Sequence, residues 1–110
     1  MQSLSAPELA ALCADPRSGT LLLDVREPWE AAIARIDAGH AQALHVPMIQ
    51  IPLRLAEVDR SRSVVCICHH GVRSAQVVAF LLQQGYASVY NLTGGIDAWS
   101  CTVDPSVPRY

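Results

Sequence analysis

At 110 residues, 51% of them hydrophobic and 16% charged, the chain holds enough apolar material for one packed domain, which excludes a disordered polymer. A net charge of −2 without a run of like charges excludes the basic footprint of a nucleic-acid binder and the polybasic patch of a membrane-surface protein. All eight basic residues are Arg, so no lysine is present for Schiff-base chemistry.

In chain order, Ser5-Ala6-Pro7-Glu8 has the form of a capping box with Pro in the first turn, and predicts a short helix to about residue 12. A loop over 15–19 follows. Residues 20–25 (TLLLDV) form a near-continuous apolar run, as in a strand covered on both faces of a parallel sheet. A helix is expected over 28–36 and a connector over 37–42. A strand is expected over 43–46, stopped by Pro47. Pro52 predicts a further helix to about residue 58, and 59–62 a polar turn. Residues 63–67 predict the central strand, 73–84 a helix closed by Gly85, and 88–91 another strand. Thr93-Gly94-Gly95 turns into a last helix carrying Asp97 and Trp99. An extended tail is expected over 104–110. Strands alternating with helices predict an α/β domain, with a small, mostly parallel central sheet and helices on both faces. Ligands of such sheets bind beyond the carboxyl ends of the strands, where both Asp24 and Cys68 are expected.

The chemistry concentrates after the central strand. Cys68 is followed by His69, His70, Gly71, Val72, Arg73 and Ser74, a tight polar turn leading into a helix. An unperturbed thiol is only ~3% thiolate at neutral pH. Lowering its pKa by two units takes roughly 2.7 kcal/mol. Charge-assisted hydrogen bonds contribute about 1.5–3 kcal/mol each, so two or three converging backbone amides suffice. Gly71 permits the turn, and Arg73 supplies a permanent cation for a substrate oxyanion. Of the four cysteines only Cys68 has an Arg five positions on.

Three segments carry a family resemblance: Leu22 through Glu30 (LLDVREPWE), Cys68 through Ser74 (CHHGVRS), and Thr93 through Trp99 (TGGIDAW). In these the chain resembles a single-domain rhodanese of the sulfurtransferase superfamily. The resemblance implies one rhodanese-like domain over 1–110, with Cys68 as the nucleophile that carries a persulfide. It implies residues 69–73 as the cradle and Asp24 and Arg26 in supporting places. One departure is visible: Gly39-His40-Ala41-Gln42-Ala43 stands where the family has Gly-His-Ile-Pro-Gly-Ala. Cysteine phosphatases of the same fold place five residues between Cys and Arg; here four intervene. The ring is thus shorter by up to ~3.5 Å of chain, which suits one extra sulfur better than a tetrahedral phosphate.

The expected activity is transfer of sulfane sulfur from a donor such as thiosulfate to cyanide, a small thiol or a protein thiol. A partner-binding or redox-sensing module is the alternative, and a thiol phosphatase or arsenate reductase a further one. No metal or organic cofactor is expected: Cys66, Cys68, His69 and His70 are too close in sequence to converge on zinc, and no second ligand pair stands at suitable spacing. Cys66 reads as a core-packing residue, Cys13 and Cys101 as structural or incidental, and His40 and His45 as structural. Trp29 and Trp99 read as packing anchors, and Asp97 as a brace of its helix. Pro7, Glu8 and Asp15 interrupt any signal-like run, and no stretch approaches ~18 uninterrupted apolar residues. A reducing cytoplasm is the expected setting.

Overall fold

The computed structural model describes all 110 residues. Five strands form one all-parallel sheet: β1 (Ser3–Leu4), β2 (Leu21–Asp24), β3 (Gln42–His45), β4 (Val64–Ile67) and β5 (Val89–Leu92), in the order β1-β5-β4-β2-β3. Four helices accompany them: α1 (Ala6–Ala14), α2 (Pro28–Ile33), α3 (Val72–Gln83) and α4 (Gly95–Thr102). The α/β architecture expected from the sequence is therefore the observed one, with every strand pair parallel.

Alternation along the strands divides the core in two. Leu21, Leu23, Val64 and Cys66 point to the face covered by Val77, Val78 and Leu81 of α3. Leu22, Val65 and Ile67 point to the opposite face, covered by Leu9 of α1 and Ile96 and Trp99 of α4. Because both faces are buried, β2 and β4 read as apolar runs rather than as alternating patterns. The capping box of α1 forms as expected: the Glu8 amide donates to Ser5 Oγ (3.2 Å) and the Ser5 amide to Glu8 Oε1 (2.9 Å).

One strand is unexpected and three local expectations are corrected. β1 is only two residues long, too short for a pattern, and exists because it pairs with the end of β5. The helix expected over 52–58 is absent. Two 3₁₀ turns, Met48–Gln50 and Leu55–Glu57, stand around Pro52, and Ile49 and Leu53 face outward, so no continuous apolar stripe binds a helix to the core. α2 ends at Ile33 rather than at 36, because Ala34 turns to an extended φ of −150° and its carbonyl accepts from Arg26 Nη2 (2.7 Å). The tail over 104–110 does not run straight on. It turns where the Val107 amide bonds Asp104 O (3.1 Å), buries Val107, and brings Tyr110 back over α2 and the Cys68 loop.

Candidate active site

β4 is the central strand, and Cys68 is the first residue beyond its carboxyl end. The chain then turns through His69, His70 and Gly71 into α3. The turn is fixed from below by α4. The Ile96 amide donates to Cys68 O (2.9 Å) and the Asp97 amide to His69 O (3.1 Å). Those two bonds hold the peptide carbonyls away from the sulfur and leave the following amides to face it. Only glycine fits at 95: a β-carbon there would lie 2.4–2.5 Å from the carbonyl oxygens of His69 and Cys68. The Gly94-Gly95 pair in the sequence is thus the seat on which the Cys68 loop rests.

Cys68 Sγ accepts from the Gly71 amide (3.1 Å) and the Ser74 amide (3.4 Å), and lies 3.2 Å from Ser74 Oγ. Gly71 reaches this position with φ +99°, a left-handed conformation open to glycine. Burial pushes the thiol pKa up. The Ser74 hydroxyl and the amides of Ser74, Gly71 and His70 pull it down further than burial raises it, so it lies below the ordinary thiol value. The residue is 1% exposed. The sequence placed the sulfur at an open rim; it lies instead beneath the loop that stabilises it.

Arg73 was expected to offer its fork to a substrate oxyanion. In the structure that fork is engaged: Nη1 and Nη2 donate to Glu30 Oε2 (2.6 Å) and Oε1 (2.7 Å). Glu30 is buried on α2 and also accepts from the Glu27 amide (2.9 Å) and the Tyr110 hydroxyl (3.0 Å). The Arg73 guanidinium, outweighing the cost of burial, holds the Glu30 carboxyl down at about 2. The end-on pair uses two of the five guanidinium protons, leaving Nε–H and one proton on each terminal nitrogen free of protein partners. The amides of Val72 and Arg73, in the first turn of α3, also have no partner within the protein.

Asp24 and Arg26 sit one step further out. Arg26 is 1% exposed and spends all five donors: Nε and Nη2 on Asp24 (2.9 and 2.8 Å), Nη1 on Glu30 O (3.3 Å) and the Tyr110 hydroxyl (3.1 Å), and Nη2 also on Ala34 O (2.7 Å). Neither residue touches Cys68. They fix the end of α2, and with it Glu30, which in turn holds Arg73. A cavity of about 160 Å³ beside Asp24, Arg26 and Ile67 opens on the sheet face opposite that carrying Cys66, and so does not serve the sulfur.

His69 and His70 stack on each other with ring centres 3.9 Å apart, and Tyr110 stacks on His69 at 3.9 Å. Burial, then the adjoining His70, holds the His69 imidazole below its usual pKa, and its Nε2 is buried without a partner. Trp29 is exposed and meets Tyr110 edge-on, so it is no packing anchor, whereas Trp99 is buried in the core. Asp97 pairs with Arg109 (2.9 Å). His45 Nε2 bonds the Arg26 carbonyl (2.8 Å).

Glu30, Asn91 and Tyr110 were not foreseen as site residues. The first lay in plain view within the PWE segment, but nothing in its spacing pairs it with an arginine 43 positions on. Asn91 offered one signal, a lone amide in an apolar strand, where a polar side chain has to find partners.

Comparison with known proteins agrees with this geometry. The family model for the Rhodanese-like domain matches residues 5–101. A protein of Allochromatium vinosum described as a sulfurtransferase is 48% identical over 80 residues, 73% of this chain and 71% of its own length. The Arabidopsis thaliana Rhodanese-like/PpiC domain-containing protein 12, chloroplastic, is 36% identical over 112 residues, and all of this chain corresponds to 38% of that longer protein. Among solved structures, a rhodanese-related protein from Thermoplasma volcanium superimposes with a TM-score of 0.81 at 28% identity, over 100% of both chains. With the family's model matched along 97 residues and its sheet reproduced around the Cys68 loop, the chain belongs to the rhodanese-like domain family.

Proposed function

We propose that the chain is a sulfurtransferase that takes sulfane sulfur from a donor such as thiosulfate onto Cys68 and passes it to cyanide, a small thiol or a protein thiol. The observation that carries this reading is the convergence of the Gly71 and Ser74 amides on one sulfur, which favours its anion. In the first half-reaction the Cys68 thiolate attacks the outer sulfur of thiosulfate. An S–S bond forms on Sγ, the sulfur–sulfur bond of the donor breaks with its electron pair, and sulfite departs. In the second, an acceptor nucleophile takes the outer sulfur and Cys68 returns as thiolate.

The free amides of Val72 and Arg73 and the unclaimed guanidinium protons of Arg73 suit the charge on the donor and on the outer sulfur. Burial of Sγ requires the side chains over the loop to part before a donor reaches it. The short Cys-to-Arg ring favours sulfur over a phosphate ester. Four unpaired cysteines suit a reducing compartment such as the cytoplasm, and no helix is long and apolar enough to cross a membrane. The test is intact mass after incubation with thiosulfate. The expected result is a gain of about 32 Da, one sulfur atom, reversed by cyanide and absent in Cys68→Ala. No gain from thiosulfate or any other sulfane donor would leave a partner-binding module as the better reading.

A further inference from the structure

β5 carries a polar residue that the chemistry above does not use. Asn91 lies between the Cys68 loop and α3, and its Nδ2 donates to Gly71 O (3.0 Å). A carbonyl oxygen only accepts, so turning the amide round sets two oxygens against each other. Asn91 Oδ1 therefore faces Ser74 Oγ at 2.5 Å, and Ser74 is the donor. A hydroxyl has one proton. What Ser74 presents to Cys68 Sγ, 3.2 Å away, is a lone pair.

While Cys68 is a thiol, every group in this chain is satisfied. The S–H donates to Ser74, Ser74 to Asn91, and Asn91 to Gly71. Ionisation breaks the arrangement. The Ser74 hydroxyl then turns its proton to the negative sulfur and leaves Asn91 Oδ1 buried without a donor, a cost that opposes ionisation. The amides of Gly71 and Ser74 stay on the sulfur throughout.

We propose that Asn91 is a positioning residue that competes with the Cys68 thiolate for the single proton of the Ser74 hydroxyl. The proposal rests on the sulfurtransferase reading only in that Cys68 has to ionise to react. The competition falls on the bare thiolate alone. In a persulfide the charge sits on the outer sulfur, and the Ser74 proton returns to Asn91. Asn91 therefore disfavours the empty, ionised enzyme relative to its protonated and loaded forms.

Titratable and charged groups around the sulfur are Arg73 of α3, Cys66 of β4, and His69 and His70 in the loop. Further out stand Glu30 of α2, Asp97 of α4 and Tyr110 of the tail. All are unchanged across the variants compared, so their influence cancels in the differences.

The test follows Cys68 ionisation by thiolate absorbance on the full chain, across the cycle of Asn91→Leu and Ser74→Ala. Asn91→Leu keeps the branched shape and removes the acceptor, so the hydroxyl is released to the sulfur; the Nδ2 bond to Gly71 O is lost with it in both Ser74 backgrounds, so the cycle cancels that loss. The ionisation midpoint falls, and the ratio of thiolate to thiol at a given pH rises by about threefold to tenfold. Ser74→Ala then raises the midpoint further in the Asn91→Leu background than it does alone. A midpoint not lowered by Asn91→Leu, or a Ser74→Ala effect no larger in that background, overturns the proposal; both belong to a hydroxyl that always serves the sulfur. If Asn91→Leu does not fold, the unaltered chain gives the answer. The Asn91 side-chain carbonyl carbon resonance shifts at the Cys68 midpoint as it loses its donor, and a resonance indifferent to that titration overturns the proposal. No sulfur donor enters these measurements, so failure to load from thiosulfate counts against the sulfurtransferase reading alone.

Discussion

Cys66 and Cys68 are the same residue type, two positions apart, on the same face of the sheet, 0% and 1% exposed. Burial alone treats them alike. Yet burial pushes the Cys66 thiol up to about 12, while the Cys68 thiol lies below its ordinary value. The difference is one of backbone direction. Cys66 is inside β4, where each amide is committed to a neighbouring strand and none is free to turn to the sulfur. Cys68 is where the ladder ends and the chain curls, so amides that would pair with a strand meet at a side chain instead. The opposite shifts of the two thiols are a matter of where the sheet stops, not of how exposed each residue is.

The largest test of that contrast is chemical. Cys68→Ala abolishes persulfide formation, whereas Cys66→Ala keeps it and lowers stability by about 1–3 kcal/mol, read from the denaturation midpoint. Loading that survives Cys68→Ala, or disappears with Cys66→Ala in a folded chain, breaks the comparison.

Next comes the support beneath Arg73. Glu30 is buried, so Glu30→Gln leaves the guanidinium without its counter-charge and costs about 3 kcal/mol, at the lower end for a buried pair because Arg73 is partly exposed. The pH dependence carries the same sign. The Glu30 pKa is lowered in the fold from 4.5 to about 2. Its contribution is therefore fully present above the unfolded value and is lost as the pH falls through the folded one. Unfolding free energies measured downward from pH ~5 should decline more steeply in the wild type than in Glu30→Gln. Parallel curves would mean that the pair contributes nothing.

A third test moves the seat of the loop. Gly95→Ala drives a methyl into the carbonyls of Cys68 and His69, whereas Gly19, with φ +62° as at Gly95, has open space around its α-carbon. Both variants pay the left-handed strain of about 1–2 kcal/mol. Only Gly95→Ala disturbs the amides that face the sulfur, and it should reduce the thiolate-to-thiol ratio about tenfold, measured from the pH dependence of the alkylation rate. The smallest effect belongs to Tyr110→Phe. It removes the hydroxyl that bridges Arg26 to the Glu30 carboxylate while that carboxylate keeps its other three hydrogen bonds, and should lower stability by about 1 kcal/mol without changing the Cys68 midpoint.

The contrast between the two cysteines also marks what the sequence carried. The apolar runs at 20–25 and 63–67, the capping box at Ser5 and the polar turn after Cys68 are local signals, and each became the element it predicted. So did the turn at Gly94 and Gly95, although its purpose, to seat the loop, shows only in three dimensions. The segment around Pro52 misled because a proline that opens a helix also punctuates irregular turns, and only the outward-facing Ile49 and Leu53 distinguish the two. The partners of Arg73, Ser74 and Arg26 were hidden for another reason. Glu30, Asn91 and Tyr110 lie 43, 17 and 84 positions from them, and no periodicity spans such distances. The sequence therefore located the turn whose amides face Cys68, but assigned Arg73 a free fork where the fold gives it a carboxylate.

The most direct measurement is the difference in thiolate absorbance between the wild-type chain and Cys68→Ala as the pH is raised. A single ionisation below the ordinary thiol value of ~8.5, with Cys66 silent throughout that range, is the expected result. A difference curve that rises only at or above that value would mean that the converging amides do not hold an anion, and the account of Cys68 would fail with it.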